Sequence, residues 1–333
     1  MINPELRKLR FCLITADTAC GPFRNFVGSD FWNFYYWMHL FDYNYHFNYG
    51  IIVKNPEFLN KFDIVMISGN PAHTEEIFYI AEKCKAITIW FPEGDTCLYH
   101  DNREGGIRGD AIKAMNACDI VGIVEEDKKP FWDALLYKPV KFLHTPVPDR
   151  LCNGAFYANS SLKSNNLLVY GDNNPNNPLI AFAVAKKLKL PVKVVQINDD
   201  IIEFVKHYLG VNVISNEPKM SQVDFLSLFV ASSKLIIYPT RWIGTARQVI
   251  SGAICGTPVI GNRDSHTQQK LFPTLAIYNY DMTKMLELTK RLYDDIDFYE
   301  ECCKYAFEQV KFYSETNASE RMLEAYHSVK KEI

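Results

Sequence analysis

The stretch Lys234–Gly261 (KLIIYPTRWIGTARQVISGAICGTPVIG) constrains the fold of this chain more than any other. Its first apolar run, KLIIY, stops at Pro239-Thr240-Arg241. Gly244-Thr245 then opens a short helical segment, with Thr245 as its N-cap, because a threonine hydroxyl can accept an otherwise unpaired first-turn N–H. Ala246, Val249, Ile250 and Ala253 recur at helical spacing and give the segment an apolar face. Gly256 ends the helix, and Thr257–Gly261 (TPVIG) reads as the next buried strand. Strand, helix and strand joined this tightly make a βαβ unit. The helix start offers free N–H groups and the positive end of the helix dipole to an anion, usually a phosphate. Arg241 and Arg247 flank that start, and guanidinium forks match phosphate oxygens. A core helix whose two arginines only solvate its ends fits the same spacing.

The rest of the chain repeats the alternation. In the first half, Leu9–Thr15, Asp63–Ser68, Ala86–Phe91, Asp119–Val124 and Val140–Leu143 read as strands, and Ile51-Ile52-Val53 as a further short one. Phe31–Phe41 (capped by Ser29 or Asp30), Asn70–Lys85, Ala111–Ala117 and Pro130–Tyr137 read as helices. The loop Ala16–Asp30 lacks the G-x-G-x-x-G spacing of a dinucleotide site. His144–Asp149 (HTPVPD) carries two prolines and reads as a stiff, extended linker. Beyond it the pattern restarts, with strands Asn166–Tyr170, Val192–Ile197 and Val211–Ser215, and helices Leu179–Lys189, Ile201–Leu209 and one from Ser221. The fold class is therefore α/β, two Rossmann-like, doubly wound parallel-sheet domains.

Composition narrows the function. A chain of 333 residues, 48% of them apolar, can bury two full cores. A net charge of −3 excludes a global polycation that holds nucleic acid nonspecifically, and leaves room for a local basic patch. No run approaches the roughly 18 apolar residues of a membrane span, and the start MINPELRKLRF is too polar for a signal peptide. Nine cysteines, mostly in apolar runs, read as reduced thiols and place the chain in the cytoplasm. Cys302-Cys303 lacks metal-site spacing, so no metal is assigned.

The segment ISGAICGTPVIG resembles the nucleotide-binding segment of GT-B glycosyltransferases, and SERMLEAYHS resembles their C-terminal end. The resemblance implies a GT-B layout. Residues 1–148 would be the acceptor-side domain and 149–310 the nucleotide-sugar-binding domain, with 311–333 a C-terminal helix packing back toward the first. It implies a nucleotide-sugar donor, a UDP-sugar above all, bound where the two domains face across a cleft. The two glutamates of many retaining members fall here on Ile243 and Ser251, a departure that points to inversion.

In open α/β sheets, ligands sit off the carboxyl ends of the strands. The donor-side candidates are therefore Gly171, Asp172 and Asn173, then Asn216, Arg241, Gly244, Thr245 and Arg247. Gly171 would let the backbone approach a phosphate closely, although an Asn- and Pro-rich loop is equally an ordinary turn. Asn216 lies near where the family holds the base and ribose. In the first half Glu93 follows the strand ITIWF, and an inverting transferase needs one such carboxylate to take the acceptor's proton. ITIWFPEG more distantly resembles the strand end that carries the catalytic aspartate of phage DNA β-glucosyltransferases, and Asp30 in VGSDFWNF sits where those enzymes carry a second acidic residue. Asp95 and Asp30 are alternates to Glu93. Arg24, His100, Arg103 and Arg108 are acceptor-side candidates. The acceptor implied is a hydroxymethylated base in DNA, with a cell-surface glycan or small metabolite as the other option. A non-catalytic GT-B nucleotide-binding protein also fits a chain without carboxylates at Ile243 and Ser251.

Overall fold

The computed structural model describes residues 2–15, 34–69, 73–92, 108–170, 178–195, 197–217, 222–240 and 246–330. Among these, the chain forms two compact units. One runs to Pro148 and takes in the C-terminal segment from Tyr313; the other is Asp149–Phe312.

The first unit is built on six parallel strands: β1 (Arg10–Thr15), β2 (Tyr43–Asn48), β3 (Ile64–Gly69), β4 (Ile87–Pro92), β5 (Ile120–Ile123) and β6 (Val140–Phe142). Their order across the sheet is β2-β1-β3-β4-β5-β6. Every residue of β3, β4 and β5 is buried, as a parallel sheet covered on both faces requires. Trp90 on β4 and Trp132 on the helix Lys129–Leu135 anchor the core on one face, with Ile14, Ile67 and Ile80. A Cβ on Gly69 would fall 2.2 Å from the Trp90 ring, so this strand end must be glycine for the indole to lie across it.

One strand lies elsewhere than the sequence reading put it. Ile51-Ile52-Val53 is not a strand: Tyr49–Ile52 is a helical turn, and the Asn48 side chain caps it by accepting from the Ile51 N–H at 2.9 Å. The strand is YNYHFN, just before it. As an edge strand β2 keeps alternate residues partly wet, with Tyr43 and Tyr45 exposed, so it lacks the continuous apolar run of its neighbours. The segment Phe34–Leu40 is a 3-10 helix, and its proposed caps Ser29 and Asp30 lie outside the described residues.

The HTPVPD segment is extended but not a free tether. His144, Thr145 and Val147 are buried, the Val147 N–H donates to the Tyr313 carbonyl, and the Glu315 N–H donates to that of Val147, both at 2.8 Å. The points where the chain leaves and re-enters the first unit are thus bridged. The helix Glu315–Lys330 then packs against Pro4–Lys8, where the Asn3 N–H donates to Ser319 Oγ and His327 Nε2 lies 3.0 Å from Glu5 Oε1.

The second unit has its own six parallel strands: β7 (Ser164–Tyr170), β8 (Val192–Val195), β9 (Val213–Glu217), β10 (Ser233–Tyr238), β11 (Val259–Asn262) and β12 (Ala276–Ile277). The order is β12-β11-β10-β7-β8-β9. The chain winds outward from β7 to β9, returns beside β7 as β10, and winds outward the other way. The helix Arg247–Cys255 joins β10 to β11 and is buried from Gln248 to Cys255, so it is a core helix rather than an amphipathic one.

Candidate functional site

In an open parallel sheet, the crevice for a ligand opens at the carboxyl ends of the two adjacent strands from which the chain winds in opposite directions. In the second unit those strands are β7 and β10, paired through Leu167 with Leu235 and Val169 with Ile237. β7 ends at Tyr170, so Gly171, Asp172 and Asn173 follow directly on it. β10 ends at Tyr238, so Arg241, Gly244 and Thr245 follow after Pro239 and Thr240. All six of these candidates lie outside the described residues. In the first unit the equivalent pair is β1 and β3, and Arg24 and Asp30 follow β1. Glu93 comes directly after Pro92, the last residue of β4, which is β3's other neighbour. Arg24, Asp30, Glu93, Asp95, His100 and Arg103 are likewise outside the described residues, and Arg108 is described only as the first residue of the helix Arg108–Ala117.

The helix after β10 begins at Arg247, with Ala246 rather than Thr245 in the cap position. Among the described residues no side chain caps this helix start. Ala246 has φ 34°, a left-handed backbone that a residue with a Cβ adopts at a cost of about 1 kcal/mol or more. Beside it, two side-chain amides converge on one carbonyl: Asn262 Nδ2 and Asn279 Nδ2 donate to the Thr240 oxygen at 3.1 and 2.7 Å. Asn262 Oδ1 also accepts from the Asp264 N–H at 3.0 Å, and the Arg263 guanidinium stacks 4.4 Å from the Tyr278 ring. These ties fix the exit of β10 to those of β11 and β12. The sequence reading missed Asn262 and Asn279. An asparagine closing the apolar run VIGN was the available signal.

Asn216 lies on β9, two strands from β7 at the sheet edge. Its Nδ2 donates to the Ile197 carbonyl at 3.1 Å and to Asp199 Oδ1 at 2.9 Å, holding the start of the helix Asp199–Leu209. Its buried Oδ1 has no partner among the described residues. Ser251 is buried within the helix Arg247–Cys255, so no charge stands where the family's second glutamate falls.

The recognisable residues of the CGTPVIG run serve packing. Gly256 is left-handed at φ 63°, and a Cβ there would fall 2.8 Å from the Tyr157 ring. Thr257 Oγ1 donates to the Val230 carbonyl at 2.7 Å and accepts from Lys163 Nζ at 2.7 Å. A Cβ on Gly261 would fall 2.4 Å from Gln268 Oε1, and that fully buried glutamine donates to the Val259 carbonyl at 2.8 Å.

In the first unit, Thr15 Oγ1 lies 2.9 Å from His46 Nε2 at the carboxyl edge, and burial pulls the His46 pKa down, favouring the neutral ring. Tyr49 donates to the Ser68 carbonyl and stacks 4.8 Å from the His73 ring. Glu125, two residues beyond the end of β5, is 1% exposed. Sequence reasoning passed over Glu125 although it follows an apolar strand as Glu93 does. His144 is a core histidine, with Nδ1 2.8 Å from the Thr145 carbonyl and its ring edge-on to Tyr313. Among the described residues no group of three or more His, Cys, Asp or Glu side chains could hold a metal ion, and no helix is long and apolar enough to cross a membrane. The described cysteines, Cys84 and Cys303 among them, are free thiols.

No protein-family model matches the chain, nor does any curated protein sequence. Solved structures match throughout its length. HepE of Anabaena, solved with UDP-glucose, is 8% identical with a TM-score of 0.72, covering 96% of this chain and 100% of its own. Sucrose-phosphate synthase of Thermosynechococcus elongatus is 11% identical with a TM-score of 0.72, covering 98% and 100%. An alpha-glucosyltransferase in complex with UDP-glucose and DNA containing an abasic site is 11% identical with a TM-score of 0.64, covering 97% and 100%. With two six-stranded parallel sheets in one chain and matches of this extent, the chain has the GT-B fold.

Proposed function

We propose that the chain is a glycosyltransferase that moves a sugar from a nucleotide-sugar donor, a UDP-sugar, to an acceptor hydroxyl with inversion. The observation that carries this reading is the adjacency of β7 and β10 where the second sheet's winding reverses, with a helix starting at Arg247 after β10. That is the setting in which a parallel sheet binds a diphosphate. Structures of the same fold solved with UDP-glucose support it.

In this reading Gly171 lets the backbone close on the diphosphate, and Asp172 and Asn173 hydrogen-bond the donor. Arg241, Arg247 and the helix start at Arg247 neutralise the charge that builds on the leaving diphosphate, the larger part of the catalysis, with Gly244 and Thr245 on the approach to that start. Asn216 lies beside the base and ribose. Glu93 takes the proton of the acceptor hydroxyl as its oxygen attacks the anomeric carbon and the diphosphate departs. Asp95 and Asp30 are the alternates for that role. The acceptor is a hydroxymethylated base in DNA, with Arg24, Arg103, Arg108 and His100 contacting the backbone; the DNA-bound alpha-glucosyltransferase of the same fold supports this choice. The compartment is the cytoplasm.

A second reading, a nucleotide-binding protein that transfers nothing, draws support from buried, uncharged Ser251. One experiment separates the two. The protein is incubated with a panel of sugar nucleotides, with and without hydroxymethylated DNA, and free nucleoside diphosphate is followed. Release from one donor, stimulated by the DNA and lost in Glu93→Gln, supports the whole reading. Release without stimulation moves the acceptor to a glycan or metabolite. Binding without release from any donor overturns transfer in favour of the second reading.

A further inference from the structure

The helix Asp199–Leu209 (DDIIEFVKHYL) covers one face of the second sheet at its β9 edge, which it touches with Ile202 and Val205 turned into the core. A second apolar stripe on the same helix faces outward. Ile201 is 39% exposed, Phe204 46% and Tyr208 71%, at spacings of three and four residues, which align on one helix face. The Phe204 and Tyr208 rings stack on each other with centroids 5.2 Å apart. In soluble monomers, contiguous exposed aromatics of this kind mark an interaction surface.

The charges on this helix say what covers it. The acidic Asp199 and Asp200 lie in the first turn, the basic Lys206 and His207 in the last. Asp200 and His207 are seven residues apart and so flank the apolar stripe on one side. A helix with acid at one end, base at the other and an apolar stripe between is complementary to itself run antiparallel. A twofold axis through Phe204 brings Phe204 against its own copy, Ile201 against the other Tyr208, and Asp200 toward the other His207, twice over. We propose that this face is the interface of a homodimer formed by antiparallel pairing of the helix Asp199–Leu209 from two copies of the chain.

The test is sedimentation velocity on the full chain from about 1 to 100 μM, a range that brackets moderate affinities. The wild type should show a concentration-dependent monomer–dimer equilibrium. Phe204→Asp, already half exposed and so harmless to the core, should weaken the dimer on the order of 100-fold or more, because each interface counts the residue twice. Tyr208→Ser should weaken it as well, and circular dichroism of both variants should be unchanged. Asp200→Lys and His207→Glu should each dimerise poorly alone, and a mixture of the two should recover a heterodimer, since the new lysine then faces the new glutamate. A wild type that stays monomeric throughout overturns the proposal and leaves the stripe to a different protein. So does a dimer that Phe204→Asp leaves intact, or a mixture of the two charge variants that fails to recover.

Discussion

Gly252 sits in the middle of the helix Arg247–Cys255, where propensity alone says alanine is better by about 1 kcal/mol. The packing says the opposite. A Cβ there would fall 2.4 Å from Val259 Cγ2 and 2.7 Å from the Thr257 carbonyl oxygen. A valine methyl can turn aside, but the carbonyl is backbone. It belongs to the turn whose Thr257 N–H donates to the Gly252 carbonyl at 2.8 Å, so the two segments are locked together. Relief requires lifting the helix off β11. Inserting a methyl into a packed core costs about 1–3 kcal/mol, and a backbone contact belongs at the upper end. Subtracting the propensity gain leaves Gly252→Ala destabilised by about 1–2 kcal/mol. For a unit of this size that lowers Tm by about 2–4 °C per kcal/mol, hence by about 2–8 °C. Gly50→Ala is the control: its Cβ would meet only Asn48 Oδ1 at 3.8 Å, and its melting should be unchanged or raised. Melts followed by circular dichroism decide the matter. A Gly252→Ala protein as stable as the wild type, or more so, refutes the argument that this glycine exists for close packing.

Gly69→Ala should cost the first unit about 1–3 kcal/mol and change the near-ultraviolet dichroism of its tryptophans, because the new methyl drives into Trp90. Burial pushes the Cys255 and Cys303 thiols from 9.0 up to about 12, so the stability they carry is whole below pH 9 and lost as pH rises toward 12. Urea midpoints should fall across that window, and fall less in Cys303→Ala. Lys163 Nζ donates to the Ala231 and Cys255 carbonyls and to Thr257 Oγ1, and its burial draws the ammonium from 10.5 down to about 8. Between those values the unfolded chain holds more protons, so this lysine's contribution to stability rises with pH. The advantage of the wild type over Lys163→Met in urea should therefore be larger at pH 10 than at pH 8.

The CGTPVIG run was legible because it is backbone packing written in residue types. Gly256 must be left-handed, Gly261 must leave room for Gln268, and Thr257 ties two segments together. β2 was not legible, since an edge strand keeps polar residues on its wet face and YNYHFN has no apolar run. Ile51-Ile52-Val53 does, and became a helical turn because Asn48 caps it. The neighbourhood of β7 and β10 was not legible either. Those strands lie some way apart in the chain, and only the crossover back from β9 makes them adjacent. The candidate loops could be named as strand exits, but not as the exits of one crevice. The two asparagines that lock the Thr240 carbonyl were invisible for the same reason, because their convergence is tertiary.

Hydrogen exchange with and without UDP-glucose tests the central claim most directly. If the donor binds where the second sheet's winding reverses, peptides covering residues 170–178 and 240–250 should gain protection together, and Arg247→Ala should reduce the gain at a given ligand concentration. Protection confined to the first unit, or none at a ligand concentration that saturates binding, would contradict the account.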